Sequence, residues 1–100
     1  MTSVAFVDVP VLTADRLLVH AGRIVRLSVA ECAVVTMLLE RHPDPVEARV
    51  LERALRPGTE PDLRLTPRRL MQFRRHLAVV GMALRCQQRL GYTLELSEAG

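Results

Sequence analysis

Hydrophobic residues near the start of the chain come in short runs. Leu17–Val19 and Ile24–Val25 are such runs, and the turn-forming sequence Ala21-Gly22-Arg23 separates them. Short apolar runs on either side of a glycine-containing turn are typical of antiparallel strands. We therefore expect a small β-meander over residues 4–27.

From residue 28 onward the apolar residues recur at helical spacing. Ser28 and Glu31 match a capping box, in which the serine hydroxyl and the glutamate carboxylate satisfy backbone amides of the first turn. This pattern predicts a first helix over residues 29–41. The His42–Pro45 segment ends it, because proline disfavours helical geometry in the residue before it.

Two later segments begin with a polar residue followed by proline. Asp44-Pro45 and Thr66-Pro67 both place a side-chain oxygen at the cap and proline at the first helical position. They predict a second helix over residues 45–56 and a third over residues 67–80, with residues 57–65 as the connecting loop.

The predicted third helix has two chemically distinct sides. Its apolar positions are three or four residues apart and form one stripe: Leu70, Phe73, Leu77 and Val80. The opposite side carries side chains that can hydrogen-bond to base edges in a major groove: Arg68, Gln72 and Arg75. A solvated amphipathic helix has the same pattern, but two preceding helices and a following basic hairpin favour DNA. That hairpin is predicted over residues 82–96, with a polar turn at Gln87–Arg89.

Charge is distributed unevenly along the chain of 100 residues, whose net charge is +3. Residues 63–94 contain seven arginines and no acid, which predicts attraction to a phosphate backbone. A solvated basic face without a ligand is the alternative. With 49% hydrophobic and 25% charged residues, the composition predicts one globular domain, residues 1–100. Three aromatic residues are few for stacking on single-stranded nucleic acid.

Candidate catalytic and metal-binding patterns are lacking in the sequence. No paired acid and base, phosphate-binding loop or metal-ligand spacing occurs, so we expect neither an enzyme nor a cofactor. Cys32 and Cys86 match no disulfide framework or metal motif and are interpreted as one or two buried thiols. No apolar run is long enough for a membrane helix, and the N-terminus does not match a secretory signal. We expect a cytoplasmic, nucleoid-associated protein without membrane contact.

The order of these elements resembles the OmpR/PhoB-type winged helix-turn-helix DNA-binding domain of bacterial response regulators. Four stretches are similar to the family's strand pattern, first helix, recognition-helix core and closing strand: Gly22–Ser28 with Glu31, Val34–Leu39, Leu70–Leu77, and Gly91–Leu94. The resemblance covers roughly residues 10–96. It implies an α+β fold with an N-terminal antiparallel meander, three helices and a C-terminal hairpin wing.

The resemblance also implies sequence-specific binding to double-stranded DNA in transcriptional regulation, with the third helix in the major groove. Base-reading positions are then Arg68, Gln72 and Arg75, and phosphate-contacting positions are Arg64, Arg69 and Arg74. The wing carries Arg85, Gln88 and Arg89.

Three departures from the family pattern are visible. The wing reads Gln88-Arg89-Leu90-Gly91-Tyr92 in place of R-G-x-G-Y, and Leu55-Arg56 stands where the second helix usually ends in tryptophan. A phosphoacceptor receiver domain is not present in the 100 residues. The interpretations are a stand-alone member, which Met1 and the meander favour, or an excised domain.

Two further interpretations concern partners. The altered wing leaves open a winged helix that binds proteins in place of DNA, contacting RNA polymerase or another protein through residues 57–65. A homodimer is also an open alternative, with the apolar segment Val4–Val7 as a pairing edge, although that segment can equally pair within its own sheet.

Overall fold

The computed structural model describes residues 9–96, and these residues form a mixed α+β structure with five strands and four helices. Three strands come first: β1 (Val11–Leu12), β2 (Leu17–His20) and β3 (Arg23–Arg26). The helices follow: α1 (Val29–Arg41), α2 (Ala48–Leu55), α3 (Thr66–Arg69) and α4 (Met71–Val79). The chain then forms β4 (Met82–Gln87) and β5 (Gly91–Leu96).

The strands form two antiparallel sheets. β1, β2 and β3 are neighbours in one sheet, and β4 pairs with β5 in the other. In the first sheet Leu18 lies opposite Val25, and its side chain is fully buried in the core. The structure thus has the antiparallel strands predicted between residues 11 and 27. The part of the predicted meander at residues 4–8, including the proposed pairing edge Val4–Val7, lies outside the described residues.

The capping box at the start of α1 is confirmed. The Glu31 amide donates to Ser28 Oγ at 3.1 Å, and the Ser28 amide donates to Glu31 Oε1 at 2.8 Å. Because the two bonds are reciprocal, both first-turn donors are satisfied without tertiary help. α1 has the predicted bounds, residues 29–41.

The predicted start of the second helix is wrong. α2 begins at Ala48 and its N-cap is Glu47, whose side chain makes no capping bond. Val46 lies in an antiparallel bridge with Tyr92, and each amide donates to the other's carbonyl, at 2.9 and 2.8 Å. Extended pairing of Val46 with the hairpin therefore overrides the local signal of Asp44 and Pro45.

The core lies between α1, α4 and the two sheets. α4 packs against β3 and β4, while α1 packs against α2 and β5. Buried His20 links β2 to the end of α4, because its Nδ1 donates to the Val80 carbonyl at 2.6 Å. The largest fully buried apolar side chains are Phe73, Leu18, Leu27, Leu38, Leu51, Leu70 and Leu77.

Gly91 permits the close approach of the hairpin to the residues before α2. Its φ is +127°, and a Cβ at this position would lie 2.1 Å from the Val46 carbonyl oxygen. Side chains essentially never fit at that distance from backbone. Glycine is therefore required here both by backbone conformation and by space.

We predict that Gly91→Ala destabilises the fold more than Gly58→Ala. Both glycines have positive φ, but a Cβ on Gly58 would meet nothing within 4 Å. Gly58→Ala should therefore cost only about 1 kcal/mol of unfolding free energy, while Gly91→Ala adds the clash with Val46. Urea denaturation followed by circular dichroism measures both, and equal losses would contradict the close approach.

Candidate nucleic-acid interface

The segment predicted as one third helix over residues 67–80 consists of two helices in the structure. Leu70 lies between α3 and α4, and its ψ of −3° departs from the helical value of about −42°. Thr66 is the first residue of α3 and not its cap, because Leu65 holds that position. Thr66 Oγ1 is buried and has no hydrogen-bond partner among residues 9–96. The chain still continues in helical fashion, since the Arg74 amide donates to the Leu70 carbonyl at 2.8 Å.

The two sides predicted for this segment are present despite the break. The apolar stripe is fully buried: Leu70, Phe73, Leu77 and Val80. The side chains predicted to read bases are exposed together on the outside: Arg68, Gln72 and Arg75. We call these three residues the outer face. About half of the surface of Met71 and Val79 is also exposed beside them, so apolar groups border this polar face.

Arg69 serves the packing of the fold, which changes the role expected of it. Its Nη1 forms an ion pair with Glu52 Oε1 of α2, and the Glu52 side chain is only 1% exposed. The Arg69 side chain is itself 18% exposed. A buried carboxylate needs this partner, so Arg69 is poorly available to a phosphate. The second oxygen, Glu52 Oε2, is buried without a hydrogen-bond partner within residues 9–96.

Arg74 connects α4 to the hairpin. Its Nη1 donates to the Leu84 carbonyl of β4 at 2.5 Å, and the residue is otherwise exposed. Arg74 and His76 are two residues apart and so project about 200° apart around the helix. The hairpin therefore lies on one flank of α4, and the His76 side faces the helices α1 and α2.

A hydrogen-bonded chain orients Gln72 on the outer face. His76 Nδ1 lies 2.8 Å from Glu31 Oε2, and His76 Nε2 lies 3.1 Å from Gln72 Nε2. With the proton on Nδ1, the neutral imidazole donates to the carboxylate and accepts from the Gln72 amide. The capping box of α1 thereby positions Gln72, whose Oε1 and second N–H are left for another partner.

The hairpin presents its polar residues at the tip. Gln88 and Arg89 are exposed in the turn between β4 and β5, and Arg89 has a φ of +68°. Arg85 is exposed lower on β4, where its Nη1 pairs with Glu95 Oε2 at 3.1 Å. An exposed pair of this kind contributes about 0–1 kcal/mol, so it is easily exchanged for another anion.

Arg64 has an acidic neighbour in the loop before α3. Its guanidinium forms two hydrogen bonds with the Asp62 carboxylate, both 3.1 Å long. These hydrogen bonds from Arg64 hold the pKa of Asp62 below its usual value, so this carboxyl stays ionised. The pair is solvent-exposed and largely cancels the Arg64 charge locally.

An open groove of about 500 Å³ lies between this loop and the hairpin tip. Leu63 and Leu90 line it and are 46% and 56% exposed, and buried Tyr92 is among its other lining residues. Burial is the main cause that raises the pKa of Tyr92, with a further contribution from Cys86. Cys86 itself is exposed, so it is not one of the one or two buried thiols that were predicted.

Cys32 is half-buried, which agrees only in part with its prediction as a buried thiol. Burial raises the pKa of its thiol, and the Arg16 charge opposes that shift. Cys32 therefore remains a protonated, packing side chain at neutral pH.

Sequence reasoning missed two arginines of the meander that lie beside α4. Arg16 and Arg26 line a second groove of about 560 Å³ together with Gln72 and His76. They belong to a stretch whose charges nearly balance, so composition did not single them out. The packing of β3 against α4 brings Arg26 beside Gln72, and the turn that contains Arg16 lies next to Arg26.

Comparison with known proteins adds no family assignment: the sequence matches no family model and no curated protein. Within residues 9–96, no helix has the length and apolar character needed to cross a membrane.

We predict that Arg69→Ala destabilises the fold by about 3 kcal/mol, because it leaves the buried Glu52 carboxylate unpaired. The double variant Arg69→Ala/Glu52→Leu also removes the buried charge and should recover much of that loss. Urea denaturation of wild type and both variants measures the effect. Wild-type stability of Arg69→Ala would contradict a structural role for the ion pair.

Proposed function

We propose that this chain is a winged-helix domain similar to the OmpR/PhoB type and binds double-stranded DNA sequence-specifically in bacterial transcriptional regulation. In this proposal α4 enters the major groove and the β4–β5 hairpin is the wing. The observation that carries it is the outer face, where Arg68, Gln72 and Arg75 are exposed opposite a fully buried apolar stripe. None of the three has a role in the core.

The chemistry of the outer face suits base edges. An arginine can bond bidentately to guanine, and glutamine to adenine through one N–H and its carbonyl oxygen. Gln72 keeps both of these groups after its bond to His76 and is held in one orientation by it. The adjoining apolar surface of Met71 and Val79 suits the methyl group of thymine.

Phosphate contacts would come from the arginines around this face. Arg74 and the wing residues Arg85, Gln88 and Arg89 lie on the hairpin side, and Arg64 precedes α3. The pairs of Arg85 with Glu95 and of Arg64 with Asp62 are exposed, so a phosphate can replace the carboxylate at little cost. Arg69 is not included among these phosphate contacts, because its guanidinium is paired with Glu52.

The experiment that tests this function is selection of binding sites from a random duplex pool, followed by affinity measurements on the selected and random duplexes. Enrichment of a defined sequence supports base reading. Recovery of an unenriched pool, or no duplex binding at low salt, would contradict it.

We predict that Gln72→Ala and Arg68→Ala each lose about 1–3 kcal/mol of binding free energy on the selected duplex and much less on random DNA. Both side chains are exposed, so the free energy of unfolding should change by about 0.5 kcal/mol or less. Fluorescence anisotropy on both duplexes measures the discrimination.

Phe73→Ala is the contrasting control, in α4 next to Gln72. Phe73 is 1% exposed, so truncation should create a core cavity that costs about 3–5 kcal/mol of stability. If the Arg68 and Gln72 variants bind the selected duplex as tightly as wild type, α4 does not read bases.

A protein-interaction module is the second candidate, and the exposed leucines favour it. Leu63 in the 57–65 region and Leu90 at the hairpin tip expose apolar surface around one groove, and Leu65 is also exposed. Contact with RNA polymerase would use this side of the molecule and leave the outer face free. A Leu63→Gln/Leu90→Gln variant, which adds no charge beside the wing, should then stay folded and lose transcriptional activation in a purified system. Unchanged activation would remove this candidate.

A further inference from the structure

We infer that Arg16 and Arg26 form a second phosphate-binding contact, on the flank of α4 that lies opposite the hairpin. The ligand is the phosphodiester backbone of duplex DNA, and the inference rests on the proposed function. Nothing in the resemblance assigns a role to these two residues.

The two flanks of α4 are bounded by different elements. On one flank Arg74 reaches the Leu84 carbonyl of the hairpin. On the other flank His76 reaches Glu31 at the start of α1. These two residues line a groove together with Arg16, Arg26 and Gln72. The outer face therefore lies between the hairpin and this arginine-lined groove.

The dimensions of DNA place phosphates at both flanks. A helix with its side chains is about 10–12 Å across, and the major groove is about 12 Å wide. A helix inserted there has one sugar-phosphate backbone on each side. If the hairpin meets one backbone, the groove with Arg16 and Arg26 meets the other.

The charges in the groove suit an anion. Glu31, the acidic side chain that lines it, already accepts from the Ser28 amide and bonds to His76. Within residues 9–96, neither Arg16 nor Arg26 forms an ion pair. Arg26 Nη1 donates to the Asp15 carbonyl at 3.2 Å, which holds it beside the Arg16 turn and leaves its positive charge uncompensated. Both residues are exposed.

The test measures the salt dependence of binding to a random-sequence duplex, which isolates phosphate contacts from base reading. The variants are Arg16→Asn and Arg26→Gln, singly and together. Arg16 has a φ of +65°, a conformation that asparagine tolerates well, so the substitution removes charge without adding backbone strain. Circular dichroism verifies that each variant is folded.

Arg41→Gln is the matched control. Arg41 is exposed in the last turn of α1, ten residues and about 15 Å along the helix from Glu31. It carries the same charge and lies away from the groove, so it reports the effect of net charge alone.

Each single variant should lower the slope of log affinity against log salt by about one, and the double variant by about two. At about 0.1 M salt the double variant should bind roughly fiftyfold more weakly, while Arg41→Gln keeps the wild-type slope. This inference alone would be overturned if the double variant keeps the wild-type slope while the Arg68 and Gln72 variants still lose discrimination between the selected and random duplexes. No duplex binding by wild type would overturn the proposed function and this inference together.

A free phosphate ion would offer this groove the same chemistry as a DNA backbone, so a titration with inorganic phosphate distinguishes the two ligands. Titration with phosphate is followed by NMR at the amides of Leu27 and Ser28, which line the groove. Saturable shifts there, combined with an unchanged duplex slope in the double variant, would assign the groove to a free phosphate and overturn the DNA contact. Weak, non-saturating amide shifts, together with the reduced salt slope of the double variant, support the DNA contact.

Discussion

Burial of one side of the segment from Thr66 to Val80 determines how the rest of the molecule is arranged. Leu70, Phe73 and Leu77 are completely enclosed, and α4 packs between β3 and β4. Because one side of the helix must face the core, the opposite side must face solvent. The exposed arginines and Gln72 are thus a consequence of the core, and every functional argument begins from that orientation.

Polar contacts at the edges of this packed helix fix its position more narrowly than apolar contact does. Arg69 reaches Glu52 in α2, Arg74 reaches the Leu84 carbonyl in β4, and His20 reaches the Val80 carbonyl. These bonds are directional, unlike hydrophobic burial. They connect the segment from Arg69 to Val80 to α2, β4 and β2 and leave its outer face unobstructed, which suits a rigid helix that inserts into a groove.

The sequence was informative where structure depends on near neighbours. The capping box of Ser28 and Glu31 fixed the start of α1, and the spacing of Phe73 and Leu77 identified the buried stripe. The turn residues also delimited β4 and β5. In each case the deciding residues lie within about one or two turns of one another, so the pattern is readable without tertiary structure.

The sequence was not informative where distant residues decide. Val46 is extended because it pairs with Tyr92, and Arg69 is an ion-pair partner because Glu52 is buried beneath it. Arg16 and Arg26 reach the candidate interface only through packing of the first sheet against α4. Periodicity and composition contain no record of these pairings, so the sequence could not show that Arg69 is paired with Glu52.

The most direct test of the central claim, that the outer face of α4 contacts DNA, is an NMR titration of the isotope-labelled protein with a short duplex at low salt. The account predicts the largest amide shifts between Arg68 and His76, with further shifts at the hairpin tip around Arg89. Shifts confined to the 57–65 loop, or none at all, would contradict it.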